Sequence, residues 1–290
     1  MSKAAFAPAK VNLFLHVGPT GADGFHAIAS WMVFADFGDS VSIAAAEDFE
    51  FEIDGPFGGA VPHDPDNLVL QARDAYLTAS KIDAAPFRML LTKRLPPASG
   101  IGGGSSDAAA TLRLMEAEFE WPIPEVMPLA LGSDVPACFR GAPLIAEGRG
   151  EVLNAAPYTP ELDAVLVNPG VASPTGRVFA AYDASDDVRT ADCPDLPPMI
   201  GSAEEVAAIL SICRNDLEGP AIALNPEIGE ALEILRDQDE TLIARMSGSG
   251  ATVFALCAGA TEAETLAEKI QIWRPDWWVC RVRLGGPWDL

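Results

Sequence analysis

The stretch Pro96-Pro97-Ala98-Ser99-Gly100-Ile101-Gly102-Gly103-Gly104-Ser105-Ser106-Asp107 constrains this chain more than any other. It follows a strand-like run at 87–92 and leads into Ala108-Ala109-Ala110-Thr111-Leu112-Arg113-Leu114-Met115, whose composition favours a helix. In the order strand, glycine turn, helix, backbone N–H groups converge on an anion with no Cβ in the way, and the helix dipole adds positive charge. The stretch therefore reads as a phosphate cradle. Neither common form of cradle fits. A P-loop ends in Gly-Lys-Ser/Thr, whereas Gly104 is followed by Ser105-Ser106. A dinucleotide fingerprint counted from Gly100 and Gly102 puts Ser105 where the third glycine belongs. A phosphate binder of a third kind is expected, and the alternative is a mobile surface turn.

Such a cradle works against the protein's own charge. The 290 residues carry a formal net charge of −23, which argues against a broad nucleic-acid surface and requires any polyanion to be met by cations gathered locally. Of five lysines, Lys10 and Lys93 adjoin stretches singled out on other grounds, and Mg²⁺ would supply the remaining neutralisation. With 49% hydrophobic and 21% charged residues, the chain has the composition of a folded protein and the length for two domains or one large one. No apolar run approaches the ~18–20 residues that span a bilayer, so no membrane partner is expected. Pro8 and Lys10 interrupt the N-terminal stretch before a signal-peptide core can form, which predicts a cytoplasmic protein. The five cysteines are widely spaced, without a Cys-x-x-Cys pair, and read as buried thiols rather than a disulfide framework or zinc site. With only three histidines, a His-based metal centre would be hard to assemble.

Along the chain, residues 7–17 read as a strand entered through Pro8, with period-two alternation placing Lys10, Asn12 and Phe14 on one face. Lys10 and Asn12 would border a polar cavity, although a lone strand lysine is more often a solvated edge residue. The turn Gly21-Ala22-Asp23-Gly24-Phe25-His26 presents a ring and an imidazole in adjacent positions, suited to a flat heterocycle, while Phe25 could equally be a core residue. Strands are expected at 31–43 and 49–53 in a mostly antiparallel sheet. Helices are expected at 66–77, capped by Asp66, at 107–119, and at 125–131, ending at Gly132. Asp134 stands where an N-cap belongs, before Pro136, and an ionised aspartate there is also what a general base would need. A hairpin at 144–153 closes this half. A strand at 163–170 opens the second half, and residues 183–200, with five acidic side chains and three prolines, read as a surface excursion. Helices near 203–213 and 228–236 follow, then a second glycine turn, Ser247-Gly248-Ser249-Gly250, running into a strand and readable as a hairpin turn. A helix at 262–273 and a strand at 278–284 end the chain. There is no internal repeat.

Three stretches in this order, Pro8-Ala9-Lys10-Val11-Asn12-Leu13, Leu95-Pro96 through Asp107, and Gly248-Ser249-Gly250-Ala251, resemble the three motifs of the GHMP kinases, named after galactokinase, homoserine kinase, mevalonate kinase and phosphomevalonate kinase. Asp23-Gly24-Phe25-His26, Lys93-Arg94-Leu95-Pro96, Gly132-Ser133-Asp134-Val135-Pro136 and Asn215-Asp216-Leu217-Glu218 narrow the likeness to the members that act on a cytidine diphosphate substrate in non-mevalonate isoprenoid synthesis. The similarity runs over nearly the whole chain.

The resemblance implies an α+β, two-domain GHMP-kinase fold. Its N-terminal domain, residues 1–155, would resemble the second domain of ribosomal protein S5 and carry the ATP-binding loop, and its C-terminal domain, residues 156–290, would be a ferredoxin-like α/β sandwich. It implies transfer of the γ-phosphoryl group of ATP, with Mg²⁺, to a tertiary hydroxyl, with Asp134 as base and Lys10 beside it as the catalytic pair. Pro97, Ala98, Ser99, Gly100, Ile101, Gly102, Gly103, Gly104, Ser105, Ser106 and Asp107 would hold the nucleotide, with Ser106 a candidate near the metal. Phe25 and Phe179 would form the walls around cytosine, His26 would hydrogen-bond it, and Asn12, Lys93, Thr175, Gly248 and Ser249 would complete the substrate contacts. Two departures stand out: Phe25 occupies a position where relatives usually carry tyrosine, and Ala98-Ser99 a position where glycine is frequent. The competing readings are another GHMP kinase, acting on homoserine or mevalonate, and a nucleotide-binding regulatory protein without catalysis.

Overall fold

Two long antiparallel strands, β1 (Lys3–Thr20) and β2 (His26–Ala45), form the spine onto which the other elements are built in this computed structural model. It describes residues 3–22, 24–185, 189–288 and 290. Asp23 of the Asp-Gly-Phe-His run and residues 186–188 of the acidic excursion lie outside the described residues.

The β1–β2 register shifts between Pro8 and Lys10, between Asn12 and Phe14, and between Val17 and Thr20. Each irregularity re-aims the side chains that follow it. Lys10 and Asn12 do share a face, but the shift after Asn12 turns Phe14 into the core beside Leu13, and both are fully buried. The expected alternation therefore fails at Phe14, because a bulge cancels the period of two. Gly38 lets β1 cross closely, since a Cβ there would collide with the Ala7 carbonyl.

Outward from this pair run β3 (Glu50–Asp54) and β4 (Phe87–Thr92), which are parallel to each other, and a hairpin of β5 (Leu144–Gly148) and β6 (Val152–Ala155). The second half adds β7 (Leu162–Asn168), β8 (Ile243–Met246), β9 (Val253–Leu256) and β10 (Trp278–Gly285). β10 pairs with β7 along its length and with β2 at its end, so one sheet runs in the order β3-β4-β2-β10-β7-β9-β8. Every pairing among the described strands except β3–β4 is antiparallel.

Helix α1 (Leu68–Ser80) is capped by Asn67, whose side chain accepts from the Val69 N–H, one residue beyond the expected Asp66. Helix α2 (Gly103–Phe119) begins four residues earlier than expected: Gly102 at φ 65° turns the chain so that Gly103 and Gly104 form the first helical turn. Glycine disfavours helix interiors, so propensity hid this start, but at the N-terminus the bare backbone is what an anion site uses. Helices α1 and α2 cover β4 and β2 through Val69, Ala72, Tyr76, Ala108, Leu112 and Met115. Short helices α3 (Val126–Leu131) and α4 (Val135–Arg140) follow.

Helices α5 (Thr175–Asp183) and α7 (Glu218–Leu224) were not anticipated, whereas α6 (Ala203–Ser211), α8 (Pro226–Arg236) and α9 (Ala260–Trp273) were. The described part of the 183–200 excursion is no free surface loop: the Asp192 carbonyl sits 2.7 Å from His16 Nδ1, and Cys193 and Leu196 pack on the core. Trp288 donates its indole N–H to the Phe34 carbonyl at 2.9 Å, and Trp277 is buried under the Arg274 guanidinium.

Candidate active site

The two glycine turns are pressed together, and this contact builds the site. Gly100 has φ 75°, and a Cβ there would collide with the Ser247 carbonyl and lie 2.7 Å from Gly250 N. Gly248, at φ 55°, would place a Cβ 2.7 Å from the Gly100 carbonyl. Only glycine meets both the dihedral and the space at these positions. Ser247 Oγ donates to the Gly100 carbonyl at 3.0 Å and accepts from Asn12 N at 3.1 Å, while Thr252 N donates to the Ser99 carbonyl at 3.0 Å. The second turn is thus the β8–β9 hairpin turn and also the support of the first. Ala98 has φ 49°, so the residue standing where glycine is frequent adopts a conformation glycine takes more readily.

The β1 bulge delivers Lys10 to this junction, with its N–H donating to the Ile101 carbonyl at 2.9 Å. Lys10 Nζ donates to Asn12 Oδ1 at 2.7 Å and lies 3.0 Å from Asp134 Oδ2. Asn12 Nδ2 donates to Ser30 Oγ at 2.7 Å, which in turn donates to the Phe14 carbonyl, so the amide is fixed with its oxygen toward the lysine. Gly102 leaves room for this: a Cβ there would meet Lys10 Cε at 3.1 Å. Asp134 occupies the N-cap position of α4, yet among the described residues its side chain makes no capping bond. Its carboxylate turns toward Lys10.

A second buried lysine braces the loop from behind. Lys93 Nζ lies 2.5 Å from Asp39 Oδ2 and 2.6 Å from Asp107 Oδ2, and all three side chains are almost wholly buried. Asp39 Oδ1 accepts from the N–H groups of Arg94 and Leu95, where the chain enters the loop. Burial works against the Lys93 charge, but Asp107 and Asp39 outweigh it and hold its pKa above the ordinary lysine value. Burial pushes the Asp107 carboxyl up to about 7 against the pull of Lys93, and the charge of Asp39 adds to the rise. In the sequence Asp39 is only a member of the strand expected at 31–43. Nothing in sequence spacing marks it, since its partners Lys93, Arg94 and Leu95 lie more than fifty residues on, just after β4.

Lys10, Asn12, Lys93, Asp107, Asp134 and the glycines of both turns except Gly250 line one cleft of about 970 Å³ that also takes in Phe25, His26, Thr175 and Phe179. Phe25 is 57% exposed, with the Arg149 guanidinium 5.0 Å from its ring centre. The His26 ring packs on Phe179 at 5.0 Å and on Tyr182 at 5.7 Å. Thr175 Oγ1 and Ser249 Oγ are 2.9 Å apart, joining α5 to the second glycine turn. Of the expected site residues, all but Ile101 and Ser106 line the cleft. Ile101 is in the core, and Ser106 Oγ is buried and donates to the Pro8 carbonyl at 2.8 Å. Ser105, one position earlier, faces the cleft.

This arrangement can bind a phosphate chain on backbone N–H groups, hold a hydroxyl between a carboxylate and an ammonium, and enclose a planar ring. Two family models match: GHMP kinases N terminal domain over residues 67–142 and GHMP kinases C terminal over 199–275. The chain belongs to the GHMP kinases, and it has their fold, an N and a C domain of mixed α+β content. The 4-diphosphocytidyl-2-C-methyl-D-erythritol kinase of Caulobacter vibrioides (strain NA1000 / CB15N) is 52% identical over 290 residues, 98% of this chain and 100% of that protein. Within the GHMP kinases, this chain takes its place in the family of that relative. A crystal structure of 4-(cytidine 5'-diphospho)-2C-methyl-D-erythritol kinase superposes with a TM-score of 0.77 at 32% identity, over 99% of this chain and 100% of that one. Homoserine kinase from Cytophaga hutchinsonii, 19% identical with a TM-score of 0.66 over 97% of this chain and 95% of that one, shares the fold.

Proposed function

We propose that this chain transfers the γ-phosphoryl group of ATP to the tertiary 2-hydroxyl of 4-diphosphocytidyl-2-C-methyl-D-erythritol. The observation that carries this reading is the Lys10–Asp134 pair, 3.0 Å apart, in one cleft with the glycine loop and with Phe25, His26 and Phe179. A tertiary alcohol is crowded and weakly acidic, so its proton needs an acceptor and its oxygen needs orientation. Asp134 accepts that proton. Lys10, fixed by Asn12, orients the carboxylate and the hydroxyl and offsets negative charge as the bond forms. The loop from Pro97 to Ser105 holds the triphosphate on backbone N–H groups at the start of α2. Phe25 and Phe179 enclose the cytosine beside His26, with Thr175 and Ser249 as polar contacts.

Among the described residues, no three His, Cys, Asp or Glu side chains come together as a metal cluster. Mg²⁺ would arrive with the nucleotide, since Mg²⁺ keeps phosphate oxygens and waters and needs few protein ligands. The Ser105 hydroxyl is the loop group that would meet it, and the ion would supply charge neutralisation of the transferring phosphate. The domain boundary we propose falls after residue 155, between β6 and β7, with the family matches on either side of it. Cytoplasmic residence is proposed from an ATP-dependent metabolic activity. Among the described residues, no helix is long and apolar enough to cross a membrane.

The test is ADP release with Mg-ATP and a panel of the cytidine diphospho-methylerythritol substrate, homoserine, mevalonate and galactose. Turnover with the first compound alone is expected. Turnover with another would keep the catalytic pair and discard the cytosine pocket, and silence across the panel would favour a binding protein.

A further inference from the structure

Helix α4 has Asp134 at its N-cap position and is six residues long. A helix of that length does not hold itself in water, so the position of the carboxylate depends on what anchors the helix from outside. Asp134 makes no capping bond, and the last carbonyls of a helix lack partners within it. One side chain supplies those partners. Arg113, in the middle of α2, donates from Nη1 to the carbonyls of Cys138 at 2.9 Å and Phe139 at 3.3 Å, and from Nη2 to the Phe6 carbonyl at 2.9 Å.

These bonds join the three elements that carry the site. Phe6 precedes Lys10 by four residues on β1, Gly103 and Gly104 open α2, and α4 bears Asp134. The same end of α4 reaches the glycine loop, since a Cβ on Gly102 would lie 3.8 Å from Cys138 Sγ. A cation beside the last carbonyls of α4 also complements the helix dipole.

Stability alone does not account for Arg113. Burial lowers its pKa to about 10, which still leaves a cation at neutral pH, and among the described residues no carboxylate pairs with it. Its Nε is buried and has no hydrogen-bond partner among the described residues. A guanidinium desolvated in this way costs stability that an apolar side chain of similar volume would not. What an apolar side chain cannot do is fix the spacing of backbone segments through a rigid fork of donors. Arg245 is a comparable buried arginine, but its carbonyls, Leu13, Leu210 and Cys213, lie on β1 and around the end of α6, away from α4. Arg140 reaches only the Leu153 carbonyl, at 3.2 Å and on the exposed side.

Resting on the reading of Lys10 and Asp134 as the catalytic pair, we infer that Arg113 is a positioning residue that ties α4 to β1 and α2 and so keeps the Asp134 carboxylate against Lys10 beside the glycine loop. From Phe139 back to Asp134 is about 7.5 Å of helix, so a shift at the anchored end moves the carboxylate too. A misplacement of about 1 Å can lower a rate by about a hundredfold.

The first measurement is a double-mutant cycle on kcat with Arg113→Lys and Asp134→Asn. Lysine keeps a cation at the end of α4 but not the fork that spans α4 and β1. Arg113→Lys alone should lower kcat about tenfold or more, with the KM for ATP within about twofold of wild type. In the Asp134→Asn background the same change should lower kcat by less than about twofold, because the group that Arg113 positions is gone. Equal losses in both backgrounds would overturn the inference and leave Arg113 as a general support.

The second measurement, amide hydrogen exchange, needs no turnover. The N–H groups of Cys138 and Gly141 bond to the carbonyls of Asp134 and Ala137. In Arg113→Lys their exchange should quicken about tenfold or more while amides elsewhere in α2 and β1 keep their wild-type rates. Unchanged rates at Cys138 and Gly141, or a quickening spread evenly over the chain, would overturn the inference. Arg113→Gln, a neutral amide with two donors, is the second variant and carries both measurements if Arg113→Lys fails to fold. A wild type that turns over nothing in the substrate panel, with α4 loosened selectively in the variant, would refute the kinase reading and not the anchoring of Asp134 by Arg113. Turnover of the cytidine substrate with equal losses in the cycle would refute the anchoring and keep the kinase reading.

Discussion

Asp134 Oδ2 lies 3.0 Å from Lys10 Nζ, although Asp134 sits where an aspartate ordinarily caps a helix. The carboxylate has been diverted from α4 to the lysine. Removing it should therefore affect chemistry, with any stability cost coming from the buried Lys10 left without its carboxylate and not from a lost cap. Asp134→Ala is expected to lower kcat by about a hundredfold or more while nucleotide affinity, measured by calorimetry, is retained. Loss of a cap would cost about 1 kcal/mol. Urea unfolding should show no such cap loss when Asp134→Ala is added to Lys10→Met, which removes the partner charge first, and a clear one would return Asp134 to a capping role.

Lys93 is the single cation between two buried carboxylates. Lys93→Met strands both, and breaking a buried ion pair from one side costs about 3–5 kcal/mol. Chemical denaturation should register a loss of that order. If stability were within about 1 kcal/mol of wild type, the three groups would not form the brace described for the loop.

The same cluster predicts a pH dependence in the absence of nucleotide and Mg²⁺. Burial raises the Asp107 carboxyl from 3.8 to about 7, with Lys93 opposing. Between those values the folded chain holds a proton that the unfolded chain has released, so this contribution to stability is present at low pH and lost as pH rises toward 7. Asp107→Asn lacks the titrating group. Relative to that variant, the wild type should lose more than about 1 kcal/mol between about pH 4.5 and about pH 8 in urea titrations. A difference that stays constant with pH would rule out the raised carboxyl.

Two adjacent serines should behave differently. Ser106 Oγ is buried on the Pro8 carbonyl, so Ser106→Ala leaves that acceptor unsatisfied and costs about 1–3 kcal/mol of stability. Ser105 faces the cleft, so Ser105→Ala should spare stability and raise the KM for Mg-ATP. Paired thermal melts and steady-state kinetics separate them. The reverse pattern would move the metal-facing hydroxyl to Ser106.

Gly100 tests the contact between the two turns. Gly100→Ala meets an unfavourable φ of 75° and a collision with the Ser247 carbonyl, so a loss of about 1–3 kcal/mol or more is expected with weakened ATP binding. Normal ATP affinity in this variant would mean that the loop binds nucleotide without support from residues 247–252.

Much of the site was legible in the sequence because its parts are local. A glycine-rich turn between strand and helix has to expose backbone N–H groups wherever the chain carries it, and Lys10 and Asn12 two apart on a strand have to share a face. The strand at 87–92 and the hairpin after β5 were legible for the same reason: apolar alternation and turn residues act over a few positions. Helices α5 and α7 were not, because Pro174 and Gly176 at the start of the one and Gly219-Pro220 in the first turn of the other read as turn residues.

The amino-acid sequence by itself determined the chemical inventory: an anion-binding turn, a lysine, an aspartate at a helix start, a ring beside an imidazole, and a charge balance that demands local cations. Only the tertiary structure decided which of these groups are spoken for. It turned Phe14 into the core through a bulge, committed Ser106 to Pro8 and Lys93 to Asp39, and brought Asp183 to His26 from more than a hundred residues away. The physical reason is that local sequence fixes backbone propensity and side-chain type. Burial, pairing and the direction of a carboxylate depend on partners that only long-range packing supplies.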